Sequence, residues 1–503
     1  MAHFNKQATN PNATTNQAGG AAFSNPDEQA LAEILLTSFF SGNGEAFYER
    51  DSARQNRLRE LVQKVPPLFA AKAAIYARDQ FGMRTSSHLV ATELAKMSFP
   101  EKERFFEKIV VRPDDMLEIT AAVLSKVNGG DGKLPAALKR GFAKALSNVD
   151  EYRLAKYRGE GKQVNMFDLV NLVHPRQTVA ITKLMTGTLP VPETFETKLS
   201  ATGKVAEDVE DKELAIAENK EKAWEELVVG GKIGYFALLR NLRNIWLQGN
   251  EATKAAALDL LTNPAMIKKS RVMPFRYMTA YSEICMGERG HAILDHQPLV
   301  RAIAKAFDIA FQSNVKPFSG NTLVVWDDSG SMDSTNGRSN VRNVTLAASF
   351  GFALAKLSPD STHVGRFSHD ASYVMFNSDV PTIDLAVRTD CPNGATNMHT
   401  VFELAKNKGQ VYDRIFIISD MQTWAGGDSP ARKSLLEYKK ATGANPVVYS
   451  WDIAGHGNTQ FIPNQDRVVA LSGWMGDKVF DLIQQVEEGT VGGLVEKIKQ
   501  VTL

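Results

Sequence analysis

The stretch Val324-Val325-Trp326-Asp327-Asp328-Ser329-Gly330-Ser331-Met332 constrains this chain more than any other. An apolar run stops at an acid, and two hydroxyls follow at alternating positions, Asp327-x-Ser329-x-Ser331. A strand that ends in Asp and enters a loop with two inward hydroxyls supplies a half-shell of hard oxygens. It does so at the carboxyl edge of a parallel sheet, where open α/β sheets bind ligands. Magnesium prefers such oxygens in octahedral geometry and retains several of its waters. A helix N-cap cluster accounts for the same nine residues equally well, because Asp and Ser are good caps.

The residues that follow supply the sheet. Leu346, Phe350, Leu354 and Leu357 recur at helical spacing and predict a helix over Val344–Leu357. Short β-type runs appear at Thr362–Phe367 and Ser372–Phe376, then a Gly394-Ala395-Thr396-Asn397 turn and a helix over Met398–Lys408. Tyr412–Ser419 reads as a fully buried parallel strand and again stops at an acid, Asp420. Strands over Asn445–Ala454 and Arg467–Leu471 and helices over Ala431–Thr442 and Lys478–Val486 complete an α/β doubly wound parallel sheet.

Three polar loops at strand ends then converge on one crevice, carrying Asp327, Ser329 and Ser331, Thr396, and Asp420. This pattern resembles the metal-ion-dependent adhesion site of a von Willebrand factor A domain, over roughly residues 318 to 503. The resemblance implies a divalent cation, Mg²⁺, held by Ser329, Ser331 and Thr396, with Asp327 and Asp420 acting mainly through water. An acidic group of a partner would complete the shell. Two departures stand out: the family often has Gly after the final Asp, where this chain has Met421, and Thr400 competes with Thr396 for the threonine role.

Upstream the chain reads differently. From Ser24 to about Ser313 helical periodicity dominates and strand signals are absent, which argues against a second sheet. Pro26 suits a first helical position and Asp27 and Glu28 the positive end of its dipole, with Leu31, Ile34, Leu35, Ser38 and Phe39 on the buried face. Helices follow over Ser52–Lys64, Pro67–Gln80, Ser86–Met97, Glu101–Val110 and Asp114–Val127, which stops at the Asn128–Gly132 turn. Pro135–Leu146, Asp150–Tyr157, Met166–Leu172 and Arg176–Met185 continue the series, and the acidic stretch Gly203–Glu226 reads as a surface excursion with its own helix. Helix pairs on short turns suit an all-α HEAT-like solenoid with degenerate repeats. The expected divisions are a flexible arm over 1–23, the helical domain over 24–316 and the sheet domain over 317–503.

The first 23 residues, rich in Asn, Thr, Ala and Gly, lack the apolar core of a signal peptide. No apolar run reaches the roughly 18 residues of a membrane span. Cys285 and Cys391 are too few for a disulfide framework, so a reducing, cytoplasmic setting is expected, with no membrane and a monomeric state.

The net charge of +1 hides a strong asymmetry. Lys133, Lys139, Arg140, Lys144, Arg153, Lys156, Arg158, Lys162, Arg176 and Lys183 face only Asp150, Glu151, Glu160 and Asp168, leaving that stretch near +6. Lys232 to Lys305, with Arg240 and Arg243, is biased the same way, and Lys204–Glu226 between them is near −5. Basic helices with aromatic neighbours such as Phe142, Tyr157, Phe167 and Tyr235 suit a nucleic-acid surface: cations neutralise phosphates, and rings stack unpaired bases. Solvated helix faces explain any single lysine as readily. Arg240 and Arg243, three apart on one helix, share a face and are candidates either for RNA or for pairing with Glu225 or Glu226.

Four strings resemble the TROVE module: Thr15–Gly20, Phe167–Pro175 with its His174, Lys232–Asn244 and Arg271–Arg276. TROVE followed by an A domain is the architecture of the Ro family of ribonucleoproteins. The resemblance implies a ring of HEAT-like repeats closed by the A domain. Small noncoding Y-type RNA would sit on a basic outer face and the single-stranded 3′ ends of misfolded RNA in a central hole, and an exoribonuclease would be a partner. By position, Lys139, Arg140, Lys156, Arg158, Lys162 and His174 fall among the outer-surface contacts, with Lys133 and Arg176 beside them.

Signatures of catalysis are missing. The sequence has no Gly-x-Ser-x-Gly elbow around Ser329, no P-loop, no His-Glu-x-x-His and no paired-cysteine zinc spacing. The expected protein is an RNA-binding scaffold without catalytic residues. A magnesium-dependent adaptor for acidic proteins is the main alternative, and a divalent-dependent RNase a remote one.

Overall fold

The computed structural model describes residues 13–16, 19, 21–38, 52–125, 132–192, 194–203, 211–270, 272, 274–286, 296–335, 341–392, 394–423, 430–462, 465–473 and 476–503. Phe39, Asn128 to Asp131, Arg271 and Met273 lie outside them. The chain forms two compact units: Met1–Ser38, Met273–Thr279 and Phe307–Lys497 make one; Phe39–Val272, Ala280–Ala306 and Ile498–Leu503 make the other.

The sheet unit is built on six strands: β3 (Thr322–Asp327), β4 (Thr362–Phe367), β5 (Ala371–Tyr373), β6 (Arg414–Ser419), β7 (Val447–Asp452) and β9 (Val468–Ser472). They lie in the order β5-β4-β3-β6-β7-β9. All neighbours pair in parallel except β5, which runs antiparallel on the edge, so the sheet is mixed where the sequence pattern predicts a parallel one. A three-residue hairpin strand carries too little period-2 signal to reveal its direction.

Every residue of β3 and β6 is buried, because helices cover both faces. Leu323, Val325, Ile415, Ile417 and Val448 share one core with Val401, Phe402, Leu435 and Tyr438. Alternate residues carry rings: Phe416 stacks on Tyr449 at 4.9 Å and Phe350 on Trp451 at 4.7 Å. Gly351 lets the helix Asn343–Leu357 approach, since a Cβ there would meet the Trp326 ring at 2.8 Å.

The arm departs from expectation. Instead of being flexible throughout 1–23, it places β1 (Ala13–Thr15) antiparallel to β2 (Ala21–Ser24). β2 in turn pairs with β8 (Asn458–Thr459), a two-residue strand far along the chain. The helix Asp27–Thr37 follows, buried over most of its length, including Glu33.

The second unit is helical throughout its described residues. Its helices run Ser52–Lys64, Pro67–Gln80, Thr85–Lys96, Lys102–Lys108, Pro113–Leu124, Ala136–Ser147, Glu151–Lys156, Met166–Val173, Val179–Met185, Phe195–Thr202, Lys212–Val228, Tyr235–Gln248, Glu251–Leu261 and Pro264–Ser270. Most contacts join helices one or two places apart in sequence, the connectivity of a HEAT-like solenoid. Gly141 sits where Ala136–Ser147 crosses Lys102–Lys108, and a Cβ there would lie 2.5 Å from the Glu103 carbonyl. The unit is pinned around Asp115, which is fully buried. Its carboxylate accepts from Arg78 Nη2 at 2.8 Å, Arg84 Nε at 3.1 Å and the Arg112 backbone N–H at 2.8 Å, and meets His88 Nε2 at 3.1 Å. Burial alone would raise this carboxyl, but His88, Arg78 and the backbone donors hold it well below the usual range.

Candidate functional site

β3 and β6 are adjacent and parallel, with Trp326 opposite Ile418, so Asp327 and Asp420 emerge at the same carboxyl edge. Ser419 Oγ donates to Asp327 Oδ2 at 2.6 Å, and the Ser329 N–H donates to Asp327 Oδ1 at 2.9 Å. The hydroxyls of Ser329 and Ser331 stand 3.3 Å apart, and Ser331 hydrogen-bonds the Asp420 carboxylate. Ser329 precedes a 3₁₀ turn, Gly330–Asp333, but its side chain makes no cap, so the hydroxyls are not spent as the N-cap reading requires.

Both acids are buried, Asp327 completely. Burial, with the Asp420 charge alongside, pushes Asp327 up to about 7. Burial raises Asp420 too, against Ser331, the Gln422 N–H and the charge of His456. Asp328 stands apart: its N–H bonds the Phe367 carbonyl at 2.9 Å and its carboxylate faces Arg366 at 3.4 Å.

Thr396 is buried in the loop ahead of the helix His399–Asn407. Thr400 lies inside that helix and donates its hydroxyl to the Asn397 carbonyl at 2.7 Å. Among the described residues no group of three or more His, Cys, Asp or Glu could hold a metal. A cation here would rest on two acids plus hydroxyls, and that hard-oxygen set suits Mg²⁺.

Met421, at the position where glycine is frequent, has φ 61° and is buried. A side chain in the left-handed region is strained. The conformation is held from several sides: the Met421 N–H donates to Ser419 Oγ at 2.9 Å, Gln460 Nε2 donates to the Met421 carbonyl at 3.2 Å, and Ser450 Oγ donates to its sulfur at 3.4 Å.

The basic candidates divide into three groups. Lys139 and Arg140 lie on Ala136–Ser147, which packs against Met166–Val173; the helix Val179–Met185 packs on that one and on Glu151–Lys156, which carries Lys156. His174 caps the end of Met166–Val173 at φ 52° and is exposed, as is Arg176 beside it. Arg176 also lines a cavity of about 570 Å³ with Asn148, Gln177 and Lys183. Aromatics interleave: Lys156 Nζ lies 5.9 Å from the exposed Tyr152 ring and 5.8 Å from Tyr157.

Several of these cations have partners in the protein. Arg140 and Lys144 both pair with Glu103, Lys162 lies 3.4 Å from Glu118, and Lys133 is exposed ahead of its helix. Arg158 is turned inward, donating to the Leu189 carbonyl at 2.8 Å, with its Nε buried. Arg240 and Arg243 belong to a different helix, Tyr235–Gln248. Arg240 is exposed, 5.8 Å over the Phe236 ring, and Arg243 is half-buried. Sequence reasoning missed Asn16 and Gln460, whose amides hold the Thr423 and Met421 carbonyls of the loop after Asp420, since neither carries a spacing signal.

The fold and the carboxyl-edge cluster of Asp327, Ser329, Ser331 and Asp420, the crest of the sheet, together define a helical solenoid joined to a von Willebrand A-type α/β domain. The TROVE domain family matches residues 43–207 and 189–293, and the Ro60 vWA domain family matches 321–485. The chain belongs to the Ro60 family of TROVE–vWA proteins. It is 23% identical over 469 residues to the RNA-binding protein RO60 of Deinococcus radiodurans, covering 86% of this chain and 87% of the relative. Telomerase protein component 1 of Rattus norvegicus is 24% identical over 349 residues, 53% of this chain, and that of Mus musculus 24% over 326 residues, 50% of this chain. The matches span only 13% and 12% of those two long proteins. The crystal structure of the Deinococcus radiodurans RO (RSR) protein matches with TM-score 0.61 at 20% identity, covering 92% of this chain and 100% of that one. Among the described residues no helix is long and apolar enough to cross a membrane.

Proposed function

We propose that this chain is an RNA-binding scaffold whose helical unit takes small structured noncoding RNA of the Y type. The observation that carries the reading is that Lys139, Arg140, Lys156, His174 and Arg176 sit on or beside helices that pack on one another, with Tyr152 and Tyr157 against Lys156. Cations at that spacing neutralise phosphates, while an imidazole and rings meet bases or riboses in unpaired segments. A relative named as an RNA-binding protein over most of both chains supports the same assignment.

In this reading the scaffold also receives the single-stranded 3′ ends of misfolded RNA and presents them to an exoribonuclease, without cutting RNA itself. Arg240, stacked over Phe236 on a separate helix, is the candidate for unpaired RNA. The sheet unit holds Mg²⁺ through Ser329, Ser331 and Thr396, with Asp327 and Asp420 behind them. Bound there, the cation would supply a Lewis-acidic position that an acidic group of a protein partner could complete.

Sequencing the RNA that co-purifies with the full-length chain tests the proposal. Enrichment of short, structured noncoding transcripts is expected. A preparation with no nucleotide absorbance, recovered in dilute buffer, would reject it.

A further inference from the structure

The arm that precedes the helical unit in sequence reaches the loop carrying Asp420 by two routes. The direct route is Asn16, whose Nδ2 donates to the Thr423 carbonyl at 2.6 Å across 407 residues of sequence. Asn16 is buried although its neighbours Ala13–Thr15 are exposed, so the chain turns this one amide inward. The indirect route runs through β2. Phe23 pairs with Thr459 and Ser24 with Asn458, and the Asn25 N–H bonds the Gly457 carbonyl at 3.3 Å. The segment so held carries Gln460, which donates to the Met421 carbonyl.

Both routes end where support is needed. Met421 occupies a left-handed conformation that a buried methionine does not adopt unaided. Asp420 is fixed by the Gln422 N–H on Oδ1 at 3.1 Å, which holds only while the chain turns at Met421. Two amide side chains, one on the arm and one on the segment the arm pairs with, clamp the carbonyls of Thr423 and Met421 on either side of Gln422.

We propose that the N-terminal arm is a strap for the metal crest, with Asn16 as a positioning residue that sets the Asp420 loop and thereby its affinity for a divalent cation. The inference rests on the reading of Asp327 and Asp420 as a cation site. It adds that the site is incomplete without residues some four hundred positions upstream. Supporting partners of metal ligands commonly change metal affinity by about 10–100-fold when removed.

The test uses the full-length chain as wild type, Asn16→Ala, Gln460→Ala and Asp327→Asn, with two readouts. The first is amide hydrogen exchange over residues 414–423 without added metal. Asn16→Ala is expected to speed exchange at Met421 and Gln422 by about tenfold, the loss of roughly one hydrogen bond's worth of protection. The β6 amides of Ile415 to Ile418 should stay unchanged. The second is Mn²⁺ affinity by paramagnetic resonance: Asn16→Ala and Gln460→Ala should each bind at least several-fold more weakly than wild type, and Asn16→Gln should recover part of the loss. Unchanged exchange at Met421 and Gln422 in a folded Asn16→Ala protein overturns the strap, whatever the metal result. Wild type binding Mn²⁺ no better than Asp327→Asn overturns the cation reading instead, and the exchange data show whether the arm still braces the loop.

Discussion

Ser419 Oγ donates to Asp327 Oδ2 at 2.6 Å, tying the carboxyl ends of β3 and β6 across the crest. The bond leaves Asp327 buried beside a second acid, Asp420, an arrangement that a divalent cation would relieve. Asp327→Ala is therefore expected to weaken Mn²⁺ or Mg²⁺ binding at least tenfold by calorimetry while leaving the affinity for a stem–loop RNA unchanged. Loss of the cooperative unfolding transition in the same variant would make the acid structural.

Glu33 gives the sheet unit a pH dependence. It is buried, with Asn25 Nδ2 donating at 2.7 Å and Gln29 Nε2 at 2.9 Å, and burial plus the nearby Asp452 push it up to about 8. The folded chain then holds a proton that the unfolded chain gives up near the ordinary value of 4.5. Stability from this group is fully present below about pH 4.5 and is lost as pH rises towards 8, by at most about 1.4 kcal/mol per pH unit. Glu33→Gln should flatten that decline and raise Tm above wild type at pH 8.5. Parallel Tm–pH curves for the two proteins would contradict it.

Asp115 is the corresponding acid of the helical unit, with the opposite sign. Its carboxyl is held low by His88 and Arg78, so its contribution is present above the ordinary carboxylate range and lost only in strong acid. Asp115→Asn leaves Arg78 and His88 buried and under-compensated. A loss of about 3–5 kcal/mol in urea unfolding is expected, and a loss below about 1 kcal/mol would show that the cluster relaxes around the missing charge.

Among the basic residues the structure separates RNA candidates from structural ones. Arg158→Ala should lower Tm, because its guanidinium satisfies the Leu189 carbonyl from a half-buried position. Lys139→Ala with Arg140→Ala should leave Tm nearly unchanged, since the Arg140 end of its pair with Glu103 is exposed, Lys144 still pairs with Glu103, and such pairs contribute about 0–1 kcal/mol. Differential scanning on the two variants distinguishes these outcomes.

The strands that end at Asp327 and just before Asp420 were legible from sequence because an apolar run of strand length, cut off by an acid, marks where a buried strand leaves the core. Parallel neighbours then bring the two acids together. The helices from Ser52 to Met185 were legible from periodicity to within a few residues, whereas those from Phe195 onward were legible only as helical periodicity without bounds. The arm was not: Ala13–Thr15 and Ala21–Ser24 have no apolar alternation, and the strand that pairs with β2 is two residues long and more than 400 positions away. Charge counting gave the basic stretch but not its use, because Arg158 and Arg140 differ in what their guanidinium groups meet rather than in their neighbours along the chain. Met421 was visible as a departure from glycine. The left-handed turn behind it required the backbone.

Phosphate contacts from the basic helices are what the proposal requires of RNA binding. The direct measurement is the affinity of the full-length chain for a small stem–loop RNA with an unpaired 3′ tail, read by mobility shift from 50 to 300 mM salt. Binding that weakens steeply with salt is predicted. A Lys139→Ala, Arg140→Ala, His174→Ala triple variant should bind more weakly, with a log–log slope shallower by about 2, one for each lysine or arginine lost. No binding at 50 mM salt, or the same affinity and slope for wild type and triple variant, would contradict it.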